Sequence, residues 1–132
     1  QRYQRKVNRH PLEWEPHFYY AFALYFNERK RDSIEEFKKA AALAKSDSVK
    51  GWCFGYIAYI HGENKNWELA LKNIRQAITL EPEGAGLYFA LGYALKETGD
   101  NVGAAGALFK ASTLKAKQML GKRSLRHLKN ED

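Results

Sequence analysis

The side chains best equipped for chemistry in this chain are four histidines, His10, His17, His61 and His127, and a single cysteine, Cys53. An imidazole becomes a base or a metal ligand when a carboxylate or a second ligand stands at a fixed spacing from it. Here the histidines are scattered. No histidine–glutamate helical pair of the metalloprotease kind is present, and no Gly-x-Ser-x-Gly nucleophile elbow. His17 and His61 could approach one another, but two imidazoles fall short of the three or four ligands that zinc takes. One cysteine excludes an internal disulfide and a cysteine-rich zinc site, and beside Trp52 it reads as a small packing residue. Gly84-Ala85-Gly86 stands at a helix start but lacks the lysine and the glycine spacing of a phosphate loop. His61 falls on a core-facing stripe, where a buried, hydrogen-bonded histidine is expected. The sequence names no catalytic residue, no metal site and no cofactor, and it reads as a protein that is not an enzyme.

What the chain does supply is aromatic surface on helices. Phe18, Phe22 and Tyr25 recur at i, i+4 and i+7, while Tyr20, Ala21 and Leu24 form a second apolar stripe on the same helix. Only Pro11, Pro16 and Pro82 interrupt the chain, and no stretch sustains strand alternation. A 45% apolar content over 132 residues is enough for one self-sufficient core, not two. The longest apolar run, Phe18 to Phe26, holds three tyrosines and is too short to span a bilayer. Gln1 is not an initiator methionine and no apolar signal core follows it, so the chain reads as a mature or excised fragment; a cytoplasmic location is the expectation.

The net charge of +7 belongs to the ends. Residues 1–13 carry four basic side chains against one acidic, and residues 110–132 carry seven against two. Residues 14–109 are nearly balanced, with eleven basic and twelve acidic. A neutral body provides no continuous basic stripe for a nucleic-acid backbone, which needs many phosphate contacts along its length.

The elements that carry the aromatic residues repeat. Leu91-Gly92, then Ala104, Leu108 and Ala111, are matched 34 residues earlier by Ile57-Ala58, then Ala70, Ile74 and Ala77. A further step of 37 gives Tyr20-Ala21, then Ser33, Phe37 and Ala40, the three extra residues falling within Ser46–Lys50. Asn66 and Asp100 are expected as helix N-caps, and Gly84 and Gly99 as terminators. A period of this length marks a stack of helical units, each covering its neighbour's apolar flank.

These residues resemble the tetratricopeptide-repeat (TPR) pattern, in which two antiparallel helices make one unit, and the resemblance covers about four-fifths of the chain. It implies an all-α, right-handed superhelical stack of three repeats, Trp14–Asp47, Gly51–Gly84 and Ala85–Gln118. Residues 1–13 form a basic N-terminal arm, and residues 119–132 a basic C-terminal capping helix or tail. Departures are Glu28 where a glycine separates the helices of repeat one, Lys45 at the closing proline, and His61 in place of a large apolar residue or tyrosine. The resemblance further implies that the first helix of each repeat lines a concave groove. The partner-binding candidates are then Phe18, Phe22, Tyr25, Trp52, Tyr56, Tyr59, Phe89 and Tyr93. The lysine–asparagine clamp by which some relatives grip chaperone tails would fall on Phe18, Phe22, Tyr56, Gly86 and Ala90, none of which can pair with a carboxylate.

The expected function is therefore a scaffold or adaptor that takes an apolar peptide or helix of a partner protein in an aromatic groove. A competing reading makes the same aromatic row core packing, or covers it with the protein's own segment Tyr3–Trp14. The alternative function is binding of RNA or an anionic surface through the basic termini, with Lys122, Arg123 and Arg126 as the basic surface. An open groove and an unfinished end are both places where two copies could join as a homodimer.

Overall fold

Among the described residues there are seven helices: α1 (Arg2–Arg9), α2 (Trp14–Phe26), α3 (Lys30–Leu43), α4 (Asp47–Glu63), α5 (Trp67–Leu80), α6 (Ala85–Glu97) and α7 (Asn101–Asn130). The computed structural model describes the backbone of residues 2–130 and the side chains of residues 2–126, and no strand occurs among the described residues. The chain divides into two compact units, residues 1–82 and 83–132. In the first, α2 pairs with α3, α3 packs on α4, and α4 pairs with α5; α1 rests on α2. In the second, α6 pairs with α7.

The three helix pairs are joined by one and the same turn. After α2, α4 and α6 the residue two beyond the helix takes a left-handed backbone: Glu28 (φ 64°), Lys65 (φ 60°) and Gly99 (φ 91°). At each turn two reverse hydrogen bonds close the helix end. Arg29 N–H donates to Leu24 O and Glu28 N–H to Tyr25 O; Asn66 to His61 and Lys65 to Gly62; Asp100 to Leu95 and Gly99 to Lys96. This is the Schellman arrangement, which satisfies carbonyls that the helix leaves without partners. Two of the three sites hold the turn without the glycine that makes it cheap.

The helix starts are less uniform. Ser46 caps α4 by accepting from Val49 N–H, which is why α4 begins at Asp47, upstream of the expected boundary at Gly51. Asp100 Oδ1 accepts from Gly103 N–H. Asn66 stands at the N-cap of α5 but its side chain makes no capping bond. Gly84, expected as a terminator, is the residue at the N-cap of α6.

The small residues lie where two helices of a pair cross. Ala21, Ser33 and Ala40, then Ala58, Ala70 and Ala77, then Gly92, Ala104 and Ala111 are all buried. Ser33 pays for its hydroxyl by donating to Ala21 O at 2.7 Å. At Gly92 a Cβ would stand 2.9 Å from Leu108 Cγ, so α6 and α7 approach at a distance only glycine permits. Phe37 and Ile57 fill the centre of the first unit and are almost wholly shielded from water, each worth about 1.5–3 kcal/mol in burial.

Two terminal segments differ from expectation. The N-terminal arm contains a helix, α1, with no buried residue. At the other end there is no separate cap: α7 continues without a break from Asn101 to Asn130, because nothing between Thr113 and Asn130 stops a helix except Gly121, which a helix tolerates at about 1 kcal/mol. The last two residues of the expected tail, 131–132, lie outside the described residues.

Candidate protein-binding face

In the first unit the aromatic row divides into a sealed part and an open part. Phe18 and Phe22 stand one turn apart on α2, and Phe37 reaches between them from α3. Their ring centroids are 5.1 Å (Phe18–Phe22), 5.7 Å (Phe18–Phe37) and 5.1 Å (Phe22–Phe37) apart, all edge to face. Tyr56 of α4 stacks on Phe37 at 5.5 Å and meets Phe22 edge-on at 4.8 Å. Such contacts add about 0.5–1.5 kcal/mol each to burial, and the four rings weld α2, α3 and α4 together.

Phe18 is thereby corrected as a binding candidate. It is 9% exposed and belongs to the core cluster, because Phe37 and Tyr56 close over it from the neighbouring helices. Phe22 and Tyr25 are half-buried. The open part is on α4: Trp52, Tyr56 and Tyr59, at i, i+4 and i+7, are 50%, 42% and 60% exposed. Tyr19 and Phe26 of α2 are exposed as well.

Polar groups border these rings. Tyr25 Oη donates to Glu63 Oε1 at 2.8 Å, and Lys30 Nζ lies 3.8 Å from the same oxygen. The hydrogen bond to Glu63 pushes the Tyr25 phenol well above its ordinary range, with desolvation and the Tyr59 hydroxyl adding to the shift. Tyr25 and Tyr59 meet at 6.3 Å. The face thus presents apolar rings with fixed hydroxyls at one end.

In the second unit, Phe89 and Tyr93 stand one turn apart on α6 and are 40% and 59% exposed. Gly86 and Ala90, on the same helix, are exposed too. On α7 the side chains from Lys115 to Arg126 are all exposed, Lys122, Arg123 and Arg126 among them. Where this stretch begins, Gln118 Nε2 donates to Glu83 O at 3.1 Å and Lys117 Nζ lies 3.5 Å from Glu83 Oε1.

The groups singled out for chemistry are placed as follows. Cys53 is buried and its thiol is pushed up to about 12 by desolvation, which leaves almost no reactive thiolate near neutrality. His61 is only partly buried, and contrary to expectation its Nδ1 is buried with no hydrogen-bond partner among the described residues. Burial, and then Lys38, hold its pKa below the usual imidazole value. Among the described residues no group of three or more His, Cys, Asp or Glu could hold a metal ion, and no helix is long and apolar enough to cross a membrane. Sequence reasoning missed the partner of His17: the buried Glu36 of α3, one of only three buried polar side chains among the described residues. Its position among the apolar residues Ile34, Phe37 and Ala40 was the available signal.

No family model matches the chain, and no curated protein matches it by sequence. Solved structures do match. A crystal structure of MamA, a TPR-like protein, superposes with a TM-score of 0.81 at 17% identity, over 89% of this chain and 67% of that one. The fold is of the tetratricopeptide-repeat type. The TPR-type likeness extends to a MamA RS-1 double mutant, with a TM-score of 0.76 at 16% identity over 88% of this chain and 64% of the other. It extends also to the Hsp90 co-chaperone Cns1 from Saccharomyces cerevisiae, with a TM-score of 0.65 at 19% identity over 89% and 43%. This chain therefore spans between 43% and 67% of the length of these TPR-type structures, and at such identities the likeness is one of fold.

Proposed function

We propose that this chain is a protein-interaction module that receives an apolar segment of a partner on the aromatic face of its first unit. The observation that carries the reading is the row Trp52, Tyr56 and Tyr59, three large rings on one helix face that are each 42% or more exposed. Rings held open to water on a rigid helix lose little entropy on binding and are efficient anchors, each worth about 2–4 kcal/mol when well seated. Phe18, Phe22 and Phe37 hold the middle ring, Tyr56, in place; Phe89 and Tyr93 give the second unit a smaller face of the same kind. The matched structures support a binding role in general terms, since one of them is named as a co-chaperone. They lend no support to chaperone-tail capture here, because the clamp positions hold Phe18, Phe22, Tyr56, Gly86 and Ala90.

The test is site-specific photo-crosslinking in native lysate, with a benzophenone side chain at Trp52 or Tyr59 and, as a control, at the exposed Lys72 of α5. Adducts to a discrete protein from Trp52 and Tyr59 but not from Lys72 support the reading. Adducts equal at all three positions, or absent from Trp52 and Tyr59, sink it.

A second reading rests on a different observation, the exposed basic stretch of α7 from Lys115 to Arg126. That surface would serve an anionic partner such as RNA, with affinity that falls steeply as salt rises.

A further inference from the structure

The second unit exposes apolar side chains on the side of α7 turned away from α6. Ala104, Ala107, Ala111 and Leu114 are buried, and a residue two positions further along a helix points about 200° away. Val102, Gly106, Phe109 and Thr113 stand on that far side, all exposed. Val102 is 86% and Phe109 76% open to water. Thr113 Oγ1 donates to Phe109 O at 2.9 Å, so its hydroxyl is satisfied within the helix. Repeats one and two show what this face holds elsewhere. At steps of 34 and then 37 residues towards the N-terminus, Val102 corresponds to Glu68 and Arg31, Gly106 to Lys72 and Glu35, and Phe109 to Arg75 and Lys38. All six are charged and exposed, and Lys38 lies 3.3 Å from Glu35 in a surface pair.

Continuation of the stack does not account for the change. α4 packs on α3, where Phe37 stacks on Tyr56 at 5.5 Å, yet Arg31, Glu35 and Lys38 stay exposed. A following helix pair leaves this face in water. One exposed apolar residue is ordinary; two large ones at i and i+7, in places charged in both other repeats, mark a contact surface. Gly106 is a second, independent sign. A Cβ there would meet nothing within 4 Å, so nothing inside the chain requires a glycine, and glycine in a helix interior is unfavourable relative to alanine. Bare backbone on an open helix face suits close approach from outside. Gly92 plays that part within the chain, against Leu108.

The charges around the face select its occupant. From Asn101 to Arg126, α7 carries Lys110, Lys115, Lys117, Lys122, Arg123 and Arg126 and no acidic residue. Lys110 and Lys117, one turn beyond Gly106 and Thr113, border the face and are exposed. Lys117 Nζ lies 3.5 Å from Glu83, itself exposed, and such pairs hold weakly. A second copy of α7 would set like charges side by side, on a chain whose net charge is already +7. A helix with carboxylates flanking an apolar stripe meets the same face with opposite charges. The relief suits a helix too. Crossing at Gly106 brings two backbones to the short end of the usual spacing of about 8–10 Å, with Val102 and Phe109 on either side. A lipid surface gains nothing from such a notch, since insertion scales with the apolar area buried.

We propose that Val102, Gly106, Phe109 and Thr113 form a second docking surface, on which an acidic amphipathic helix of another protein lies across α7. Val102 and Phe109 supply the desolvated contacts, Gly106 the close approach, and Lys110 and Lys117 the pairing with carboxylates. The surface uses no residue of the α4 face, so either can fail without the other.

The probe is a synthetic peptide of about 18 residues, five helical turns, with leucines and alanines on one side and glutamates on both flanks. Added to the isotope-labelled whole chain, it should shift the amide resonances of Val102–Thr113 and leave those of α4 in place. Val102→Glu, Gly106→Lys and Phe109→Arg together give repeat three the residues of repeat two at exposed positions, so the thermal midpoint should be unchanged or higher. The triple variant is more basic than the unmodified chain, so weaker binding of an acidic peptide reports lost apolar contact. It should bind at least about tenfold more weakly, whereas Trp52→Ala with Tyr59→Ala should bind as before. Phe109→Ala alone, the milder variant, should lose at least about threefold. A peptide with lysines in place of the glutamates should bind at least about tenfold more weakly than the acidic one. Shifts confined to Lys115–Arg126 or to α4, no shift at all, or equal binding of the two peptides overturns the proposal. So does binding to phosphatidylglycerol vesicles, or self-association in sedimentation equilibrium, that the triple variant abolishes; the face would then belong to a membrane or to a second copy.

Discussion

Glu28 and Lys65 show what a single residue can carry when the pattern around it is strong. Each takes a left-handed backbone that costs an L-residue with a Cβ about 1–2 kcal/mol, yet each closes the same pair of reverse hydrogen bonds that Gly99 closes for nothing. The turn is held by the packing of the helix pair on either side rather than by its own preference. Replacing either residue with glycine removes the Cβ strain and adds some freedom to the unfolded chain. Glu28→Gly and Lys65→Gly should therefore each raise stability by about 0.5–1 kcal/mol in urea unfolding. Gly99→Ala should lower it by about 1 kcal/mol. His61 makes an opposite kind of residue-scale demand. Its folded-state pKa is lowered by burial and by Lys38, so the unfolded chain binds the proton more readily. Stability from this group is fully present above the ordinary imidazole value of about 6.5 and is lost as pH falls below it. His61→Leu should flatten that acid limb when the thermal midpoint is measured from about pH 7.5 down to about pH 5.5. A limb just as steep in the variant would place the sensitivity elsewhere.

Among the elements, the helix pairs were legible because the requirement that produces them is a local one. Two helices crossing closely need small residues at fixed places, and Ala21, Ser33 and Ala40 with their counterparts declare those places at steps of 37 and 34 residues. Exposure of the aromatic rings was less legible. Helical spacing puts Phe18, Phe22 and Tyr25 on one face, but only the neighbouring helices decide which rings on that face are covered, and Phe37 and Tyr56 cover Phe18. α1 was not legible, since it buries no residue and its apolar positions are only Tyr3 and Val7, one turn apart. The length of α7 was hidden for the opposite reason: no proline, cap or polar break marks where its packed half ends. Its side chains from Lys115 to Arg126 are all exposed, so this part of the helix buries nothing of its own. Ending the chain after Gln118, which keeps the contacts of Lys117 and Gln118 with Glu83, should change stability by no more than about 0.5 kcal/mol. A loss of several kcal/mol in urea unfolding would show that the segment covers the last repeat after all.

At the scale of the whole molecule two surfaces compete for the function, and they differ in the physics of attachment. The rings of α4 act by desolvation, which salt leaves intact or strengthens. The basic stretch of α7 acts through charge, and exposed charges more than about 10 Å apart are screened at 0.1 M salt. Trp52→Ala with Tyr59→Ala removes the first without touching the core, because both rings stand outside the Phe18–Phe22–Phe37–Tyr56 cluster. Lys122→Ala, Arg123→Ala and Arg126→Ala remove the second at positions that bury nothing. For a partner isolated by crosslinking at Tyr59, titration should show the ring variant losing at least about 30-fold in affinity, the equivalent of about 2 kcal/mol, at both low and high salt. The charge variant should lose less, and its loss should disappear at high salt. The reverse pattern, with binding indifferent to the rings and abolished by salt, would move the working surface from α4 to α7. The reason would then lie in the charge distribution itself: a nearly neutral body with basic ends places its strongest long-range attraction on the segments that pack least.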